Sequence, residues 1–122
     1  MLFTRYKAHY AFYMRVVRTY HPRTVEAARL LGAQVRAERL RRRWTLAELA
    51  ERVGATPTTL RKVEQGDLSV GLGVALEAAV LCGVPLFAED PAQVSRELRR
   101  AQQMLALLPR RARPVEDVDD DF

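Results

Sequence analysis

The stretch TLAELAERVGATPTTLRKVEQG, residues 45–66, predicts two short helices joined by a tight turn. Thr45 is a residue type preferred at a helix N-cap, and Glu48 stands three residues later, which completes a capping box. Gly54 predicts the end of the first helix, because glycine readily adopts the left-handed conformation that commonly ends helices. Between these signals lies an apolar stripe of Leu46, Leu49, Ala50 and Val53.

The second helix of this stretch is predicted to begin after Thr56, with Pro57 in its first turn, and to end at Gly66. Leu60 and Val63 form its apolar side. Two helices separated by about three residues, with a glycine in the bend, are typical of a helix-turn-helix, whose second helix enters the DNA major groove. An ordinary helical hairpin with a solvated outer face is the alternative interpretation.

Polar and basic side chains occupy the opposite face of this second helix. At about 100° per residue, that face contains Thr58, Arg61, Lys62 and Gln65. We therefore predict that the second helix is a recognition helix and that it presents this face to DNA.

The run LGAQVRAERLRRRWTLAELAERVGATPTTLRKVEQG, residues 31–66, resembles the XRE family of lambda-repressor/Cro-type helix-turn-helix domains, and the resemblance extends to about Pro85. It implies an all-α protein with a five-helix lambda-repressor-like DNA-binding domain, an extra C-terminal helix and a disordered acidic tail. Within the family, three flanking segments are similar to HipB-type antitoxins encoded beside a HipA-like kinase. These segments are RTYHPRTVEAARLLG (residues 18–32), GDLSVGLGVALEAAVLCGVPLF (66–87) and LLPRRARPVEDVDDDF (107–122).

The resemblance implies a sequence-specific transcriptional repressor that acts as the HipB-like antitoxin of a type II toxin–antitoxin module. Such a protein is a cytoplasmic homodimer that binds double-stranded operator DNA, neutralises a HipA-like Ser/Thr kinase and autoregulates its operon. The alternative is a stand-alone XRE-family regulator without a toxin partner. No enzymatic activity, cofactor or small-molecule ligand is expected, because the sequence shows no metal-ligand carboxylate pair, no nucleophile with a histidine base and no phosphate loop.

In the XRE pattern, the residue at the position of Arg39 pairs with the glutamate near the end of the recognition helix, which is Glu64 here. The resemblance therefore assigns Arg39 and Glu64 to a buried structural ion pair, not to DNA. Removal of one partner of such a buried pair strongly destabilises the protein.

Repressors of this type often place glutamine at the first residue of the first motif helix and near the start of the recognition helix. Leu46 and Pro57 stand there in this sequence, and neither side chain donates a hydrogen bond. Base reading is then expected to fall to the polar face, with Arg61 as the guanine reader, while backbone N–H groups at both helix starts hold phosphates. The predicted DNA-binding residues are Arg43, Thr45, Thr56, Pro57, Thr58, Thr59, Arg61, Lys62 and Gln65.

Composition agrees with one small basic domain and its extensions. The chain has 122 residues, and its single cysteine, Cys82, permits no internal disulfide and no structural zinc site with only two histidines. A reducing cytosol is expected, and so is the absence of a membrane span, because no run of about 18 apolar residues occurs. Five of the 15 acidic residues lie at 116–121, which leaves residues 1–114 with 20 basic and 10 acidic residues. This balance of +10 favours a polyanionic partner.

Four segments are predicted: a basic aromatic leader (residues 1–23), the helix-turn-helix domain (24–88), a C-terminal helix (89–109) and a charged tail (110–122). The leader is interpreted as a nucleic-acid arm, a membrane-surface helix or an artefact of the start site, since Met14 is a second candidate start. The acidic tail either docks onto the toxin, folds over the basic DNA-binding residues or aids solubility. Its predicted partner-binding residues are Asp119, Asp120, Asp121 and Phe122.

The predicted C-terminal helix carries an apolar seam with spacings of 4, 3, 4 and 3 residues, which is typical of two heptads. Its members are Val94, Leu98, Ala101, Leu105 and Leu108. We predict that this seam forms a dimer contact, because a dimer binds two half-sites on DNA. Packing on its own domain is the alternative.

The segments beside the motif predict further helices and buried residues. The first helix is predicted over residues 24–42, with Thr24 as its cap and Leu30 on its apolar side, and Trp44 is expected in the core. Residues 70–81 predict a mostly buried helix, and residues 81–87 predict a short strand or an exposed dimer patch.

Overall fold

A computed structural model describes residues 19–112, and this part of the chain is all-helical. Its five helices are α1 (Pro22–Arg41), α2 (Leu46–Val53), α3 (Pro57–Glu64), α4 (Leu72–Leu81) and α5 (Pro91–Leu107). The chain divides into two compact units, Met1–Val84 and Pro85–Phe122. The helices α1 to α4 belong to the first unit, and α5 belongs to the second.

The all-α prediction is confirmed for the described residues. The sequence predicted five helices and then an extra one, whereas residues 19–112 contain five in total, of which α5 is the C-terminal helix. No strand forms over residues 81–87, where an isolated bridge joins Leu86 to Ala88. Residues 1–18 of the predicted leader and residues 113–122 of the predicted tail lie outside the described part of the chain.

Local capping explains where α2 and α3 begin. The Thr45 hydroxyl accepts a hydrogen bond from the Glu48 backbone N–H at 3.1 Å and donates one to the Glu48 carboxylate at 3.2 Å. The Thr56 hydroxyl accepts from the Thr59 backbone N–H at 3.2 Å, and Pro57 follows at the first helical position. These contacts satisfy N–H groups that have no partner within the helix.

The predicted starts of α1 and α4, which flank the two motif helices, each differ from the observed start by two residues. α1 begins at Pro22, and the His21 imidazole Nδ1 accepts from the Arg23 backbone N–H at 3.0 Å, so Thr24 is not its cap. The reason is that proline at the first helical position needs no N–H partner. α4 begins at Leu72 after Gly71, which provides no side-chain cap.

Three helices end in the same hydrogen-bonded turn. After α1, α3 and α4, a left-handed residue and its successor donate their N–H groups to carbonyls in the last turn of the helix, which is a Schellman motif. Gly66 and Gly83 occupy the left-handed position after α3 and α4, with φ of 76° at each. Arg43 occupies it after α1, with φ of 59°.

The core of the first unit receives side chains from all four of its helices. Its buried apolar residues are Val35 from α1, Leu49 and Ala50 from α2, Leu60 and Val63 from α3, and Ala78 and Ala79 from α4, with Cys82 and Val84 beyond. Gly32 marks where α1 and α3 approach most closely, because a Cβ there would lie 2.4 Å from the Val63 carbonyl oxygen. The packing thus holds α3 by one face only.

Two expectations about burial were wrong. Leu30 is 59% exposed, so it does not belong to the core-facing side of α1. α4 buries Ala78 and Ala79, but Leu72 and Val80 at its two ends are mostly exposed, so α4 is not a mostly buried helix. In α4 two alanines lie inside while Leu72 and Val80 remain outside, a distribution that composition alone does not reveal.

Candidate nucleic-acid interface

α3 separates its side chains into a buried stripe and an exposed polar face. Leu60 is fully buried and Val63 is 5% exposed. The residues predicted for the recognition face, together with Pro57 at the helix start, are exposed, and Thr59 is half-buried beside them. The exposed residues are Pro57, Thr58, Arg61, Lys62 and Gln65.

The structure brings Arg39 and Glu64 together in an ion pair between α1 and α3. Arg39 donates from Nε and Nη2 to the two carboxylate oxygens of Glu64, at 2.6 and 3.1 Å, and from Nη1 to the Trp44 carbonyl at 2.8 Å. The two side chains are only 11% and 7% exposed. The hydrogen bonds that Arg39 donates to Glu64 raise the pKa of Arg39, which keeps the guanidinium charged. These contacts fix the start of the turn between α1 and α2 against the end of α3.

Trp44, expected in the core, is half-buried in this turn. The Arg52 guanidinium lies 4.2 Å from the centroid of the Trp44 ring, and that of Arg42 lies 5.8 Å away. Both distances are within the range of a cation–π contact. The tryptophan ring therefore contacts two arginines at the surface and does not belong to the buried core.

Acidic partners neutralise part of the arginine run at the end of α1. Arg41 and Arg42 both form ion pairs with Glu38, the latter at 3.1 Å. With Arg39 bound by Glu64, three arginines of the run form ion pairs with two glutamates, which leaves one positive charge in excess.

Among the basic residues of this unit that form no ion pair within residues 19–112, four lie on α3 or near the C-terminal end of α1. Within residues 19–112, no ion pair involves Arg36, Arg43, Arg61 or Lys62. All four side chains are exposed. Their positive charge lies on α3, on the turn before α2 and in the second turn from the end of α1. The other arginines of this unit that form no ion pair within residues 19–112 are Arg23, Arg29 and Arg52.

The predicted phosphate contacts occupy the helix starts. Thr45 and Thr56 are both exposed, and each hydroxyl is engaged by the backbone of its own helix. The threonine caps bind the backbone N–H groups of Glu48 and Thr59, and Pro57 has no N–H. The backbone N–H groups of Leu46 and Ala47 in α2, and of Thr58 in α3, therefore have no acceptor within their helices. These groups lie at positive helix termini, an arrangement suited to anions.

A polar pocket of about 330 Å³ lies at the junction of α1, α2 and α3. Its lining consists of Arg36, Arg39, Leu46, Arg61, Glu64 and Gln65. Sequence reasoning did not assign Arg36 to any site. The spacing of three residues between Arg36 and Arg39 predicts that both lie on the same side of α1. No local pattern in the sequence predicts that this side contacts α3.

The residues predicted for a dimer contact lie on α5 and at its end. No residue of α5 is buried, and Leu98, Leu105 and Leu108 are 57%, 67% and 52% exposed. Val94 is half-buried and Ala101 is exposed. The tail residues Asp119, Asp120, Asp121 and Phe122 lie outside the described part of the chain.

Comparison with known families identifies the fold that this geometry indicates. Residues 30–90, half of the chain, match the sequence model of a family described as a helix-turn-helix domain. The chain therefore belongs to this family of helix-turn-helix domains, which are typical of DNA-binding regulators and are not typically enzymes. No curated protein and no solved structure matches the chain.

The described part of the chain contains neither a membrane-spanning helix nor a cluster of metal ligands. Among residues 19–112, no helix is long and apolar enough to cross a membrane. The described side chains also include no group of three or more His, Cys, Asp or Glu residues that would hold a metal ion.

Proposed function

We propose that this protein binds double-stranded DNA sequence-specifically, with α3 in the major groove, and thereby represses transcription. The observation that carries the proposal is the distribution of uncompensated charge. Arg61 and Lys62 project from the exposed face of α3 and have no acidic partner in the described part of the chain, whereas Arg39, Arg41 and Arg42 are each paired. A helix with one packed face and one basic face fits a groove lined by phosphates.

Within this proposal, the residues of α3 have different roles. Arg61 binds guanine through O6 and N7, and Thr58, Lys62 and Gln65 bind neighbouring base edges or phosphates. Thr59 and Pro57 shape the flank of the helix start. The helix starts at Thr45 and Thr56 hold backbone phosphates through their N–H groups.

Arg43 is assigned to a phosphate on the basis of its backbone conformation. It occupies a left-handed position where the equivalent turns use Gly66 and Gly83. An L-residue in this conformation costs about 1 kcal/mol relative to glycine. The presence of a long basic side chain at a position that favours glycine suits a role for that side chain in binding a ligand.

The experiment that tests the proposal begins with selection of duplexes from a random library by the full-length protein. Fluorescence anisotropy then compares the selected duplex with a random duplex for wild type and Arg61→Ala. We expect Arg61→Ala to lose about 1 to 3 kcal/mol on the selected duplex and much less on random DNA.

Arg23→Ala is the matched control for this experiment. Arg23 is exposed in the first turn of α1 and forms no ion pair within residues 19–112. Its substitution should leave both affinities unchanged. Equal losses on the selected and random duplexes for Arg61→Ala would refute base reading, and failure to enrich any sequence would refute specific binding.

We further propose that α5 joins two copies of the chain. No residue of α5 is buried, and its seam residues are spaced as in a coiled coil. The arginines of the helix, Arg96, Arg99 and Arg100, all lie off that seam, so two copies would not bring them face to face. A two-fold dimer would place two recognition helices on half-sites about one helical turn apart.

Light scattering at tens of micromolar tests the dimer. We expect wild type to be dimeric and the double variant Leu98→Asp/Leu105→Asp to be monomeric. Gln103→Asp, off the seam on the same helix, is the control and should remain dimeric. A monomeric wild type, or a dimeric double variant, would refute the contact.

The antitoxin role is proposed from the resemblance of the flanking segments to HipB-type proteins. In this role the protein neutralises a HipA-like kinase, the complex represses their shared operon, and Asp119, Asp120, Asp121 and Phe122 contact the kinase. A pull-down from native extract with tagged full-length protein tests it. A stoichiometric HipA-like kinase would support the role. Its absence, with specific DNA still bound, would leave the alternative of a stand-alone regulator.

A further inference from the structure

The pocket at the junction of α1, α2 and α3 carries more positive than negative charge. Three arginines and one glutamate line it, which gives a balance of +2. Glu64 is the acidic residue of the lining, and both of its carboxylate oxygens are engaged by Arg39. Within residues 19–112, the charges of Arg36 and Arg61 on the pocket wall therefore have no ion-pair partner.

We infer that this pocket seats one backbone phosphate of the bound duplex and that Arg36 is its principal contact. A phosphate oxygen is small enough for a pocket of about 330 Å³ and accepts charge-assisted hydrogen bonds from guanidinium groups. Gln65, on the same wall, adds an amide donor. The inference rests on the proposed DNA binding through α3.

The position of the pocket relative to α3 is the reason to choose a duplex phosphate. Arg61 and Gln65 stand one turn apart and belong both to the pocket wall and to the exposed face of α3. When that face enters the major groove, the anions that flank the groove are backbone phosphates. The pocket then receives a phosphate from the duplex that α3 reads.

The same pocket supplies a phosphate contact near the start of α2, where Leu46 has no hydrogen-bond donor. Related repressors often place there a glutamine whose amide binds phosphate, whereas the Leu46 side chain has no donor. Leu46 instead forms part of the pocket wall, which it shares with arginines from α1 and α3. The contact that α2 does not make through its side chain is supplied from α1 by Arg36.

The test measures duplex affinity of the full-length protein by anisotropy between about 50 and 200 mM salt. Arg36→Ala is compared with wild type and with Arg36→Lys, which retains the charge. We expect Arg36→Ala to weaken the selected and random duplexes by the same factor, about 10-fold at the lowest salt, and to reduce the slope of log affinity against log salt by about one. Arg36→Lys should restore the slope.

Arg23→Ala provides the matched control, because Arg23 lies on the same helix about 20 Å further along its axis by the helical rise. Replacement of single phosphates by uncharged methylphosphonates locates the contact. One replacement in each half-site should weaken wild type but not Arg36→Ala. Such non-additivity would assign that phosphate to Arg36.

The opposing outcomes separate the inference from the proposed function. If wild type binds the selected duplex and Arg36→Ala binds it equally well with the same salt slope, the phosphate seat is wrong and the DNA-binding function stands. If wild type binds no duplex at all, both are wrong. Binding of inorganic phosphate that depends on Arg36, observed by NMR, together with unchanged duplex affinity would identify a seat for a free anion and overturn the inference.

Discussion

The helices α3 and α5 begin with the same local signals but differ in what their apolar sides contact. Each starts at a proline after a polar N-cap, Thr56 or Asp90. α3 buries Leu60 completely, whereas Leu105 of α5 is 67% exposed. Because α1, α2 and α4 cover the apolar stripe of α3, its polar face is available for a ligand. In α5 the apolar side is exposed as well as the polar one. This exposure favours association with another apolar surface.

The first prediction measures this difference through the apolar side chains. Leu60→Ala should lower the free energy of unfolding of the first unit by about 3 to 5 kcal/mol, because it removes a fully buried side chain and leaves a cavity. Leu105→Ala, the matched change on α5, should lower it by less than about 0.5 kcal/mol. Urea unfolding followed by fluorescence of Trp44, the single tryptophan, measures both. Similar losses for the two variants would contradict the comparison.

The second prediction compares the ion pairs of the same two helices. Glu64→Gln should lower the free energy of unfolding by about 3 kcal/mol, because it leaves the Arg39 charge without its partner at a site that is 11% exposed. Glu97→Gln breaks the pair with Arg100 on α5, where the two side chains are 52% and 74% exposed. Exposed pairs contribute little, so its effect should be close to zero. An unchanged melting temperature for Glu64→Gln would refute the structural role of the pair.

The third prediction separates stability from function in the turn before α2. Arg43→Gly should raise the free energy of unfolding by about 0.5 to 1 kcal/mol, because glycine adopts φ of 59° without strain. It should also weaken selected and random duplexes by the same factor. α5 ends with an extended residue, Leu108, and offers no equivalent position.

Gly54→Ala is the control for that experiment, because it makes the opposite change at a left-handed position. Gly54 has φ of 83°, and a Cβ there would meet no atom within 4 Å, so the substitution tests backbone conformation alone. It should lower the free energy of unfolding by about 1 kcal/mol. If Arg43→Gly left duplex affinity unchanged, the phosphate role of Arg43 would be wrong.

The fourth prediction concerns the smallest effect, the response of Cys82 to changes on α5. Cys82 is completely buried in the first unit, and burial raises the pKa of its thiol. Because the thiolate is the reactive species, a thiol reagent should react slowly with the native protein at neutral pH and more quickly after local opening. Leu98→Asp on α5 should leave the rate unchanged, whereas Leu60→Ala should increase it. A faster reaction in Leu98→Asp would show that the two units depend on each other for stability.

Much of the helix-turn-helix was predictable because its signals are local. Thr45, Thr56 and Pro57 stand at the helix starts that their types predict, and Gly54 stands at the predicted stop. The pairing of Arg39 with Glu64 was available only through family resemblance, because no rule of spacing joins two residues 25 positions apart. The start of α1 was misplaced because His21 and Thr24 are both plausible caps, and Pro22 favoured the former.

The candidate site was less predictable than the fold, because its character depends on which charges are neutralised. Arg36, Arg39, Arg41, Arg42 and Arg43 are chemically identical in the sequence. Glu38 and Glu64 compensate three of them, while Arg36 and Arg43 remain without acidic partners in the described chain. The pairs with Glu38 form within α1, at spacings of three and four residues, whereas the pair of Arg39 with Glu64 follows from the packing of α1 against α3.

The sequence by itself determined the all-helical class, the two motif helices with their caps, and the polar face of α3, since capping and periodicity act over a few residues. Only the tertiary structure decided which apolar stripes are covered, that Arg43 is left-handed, and that Arg36 shares a pocket with Arg61. The physical reason is that burial and charge compensation depend on neighbours distant in sequence. Those neighbours become adjacent only when the helices pack.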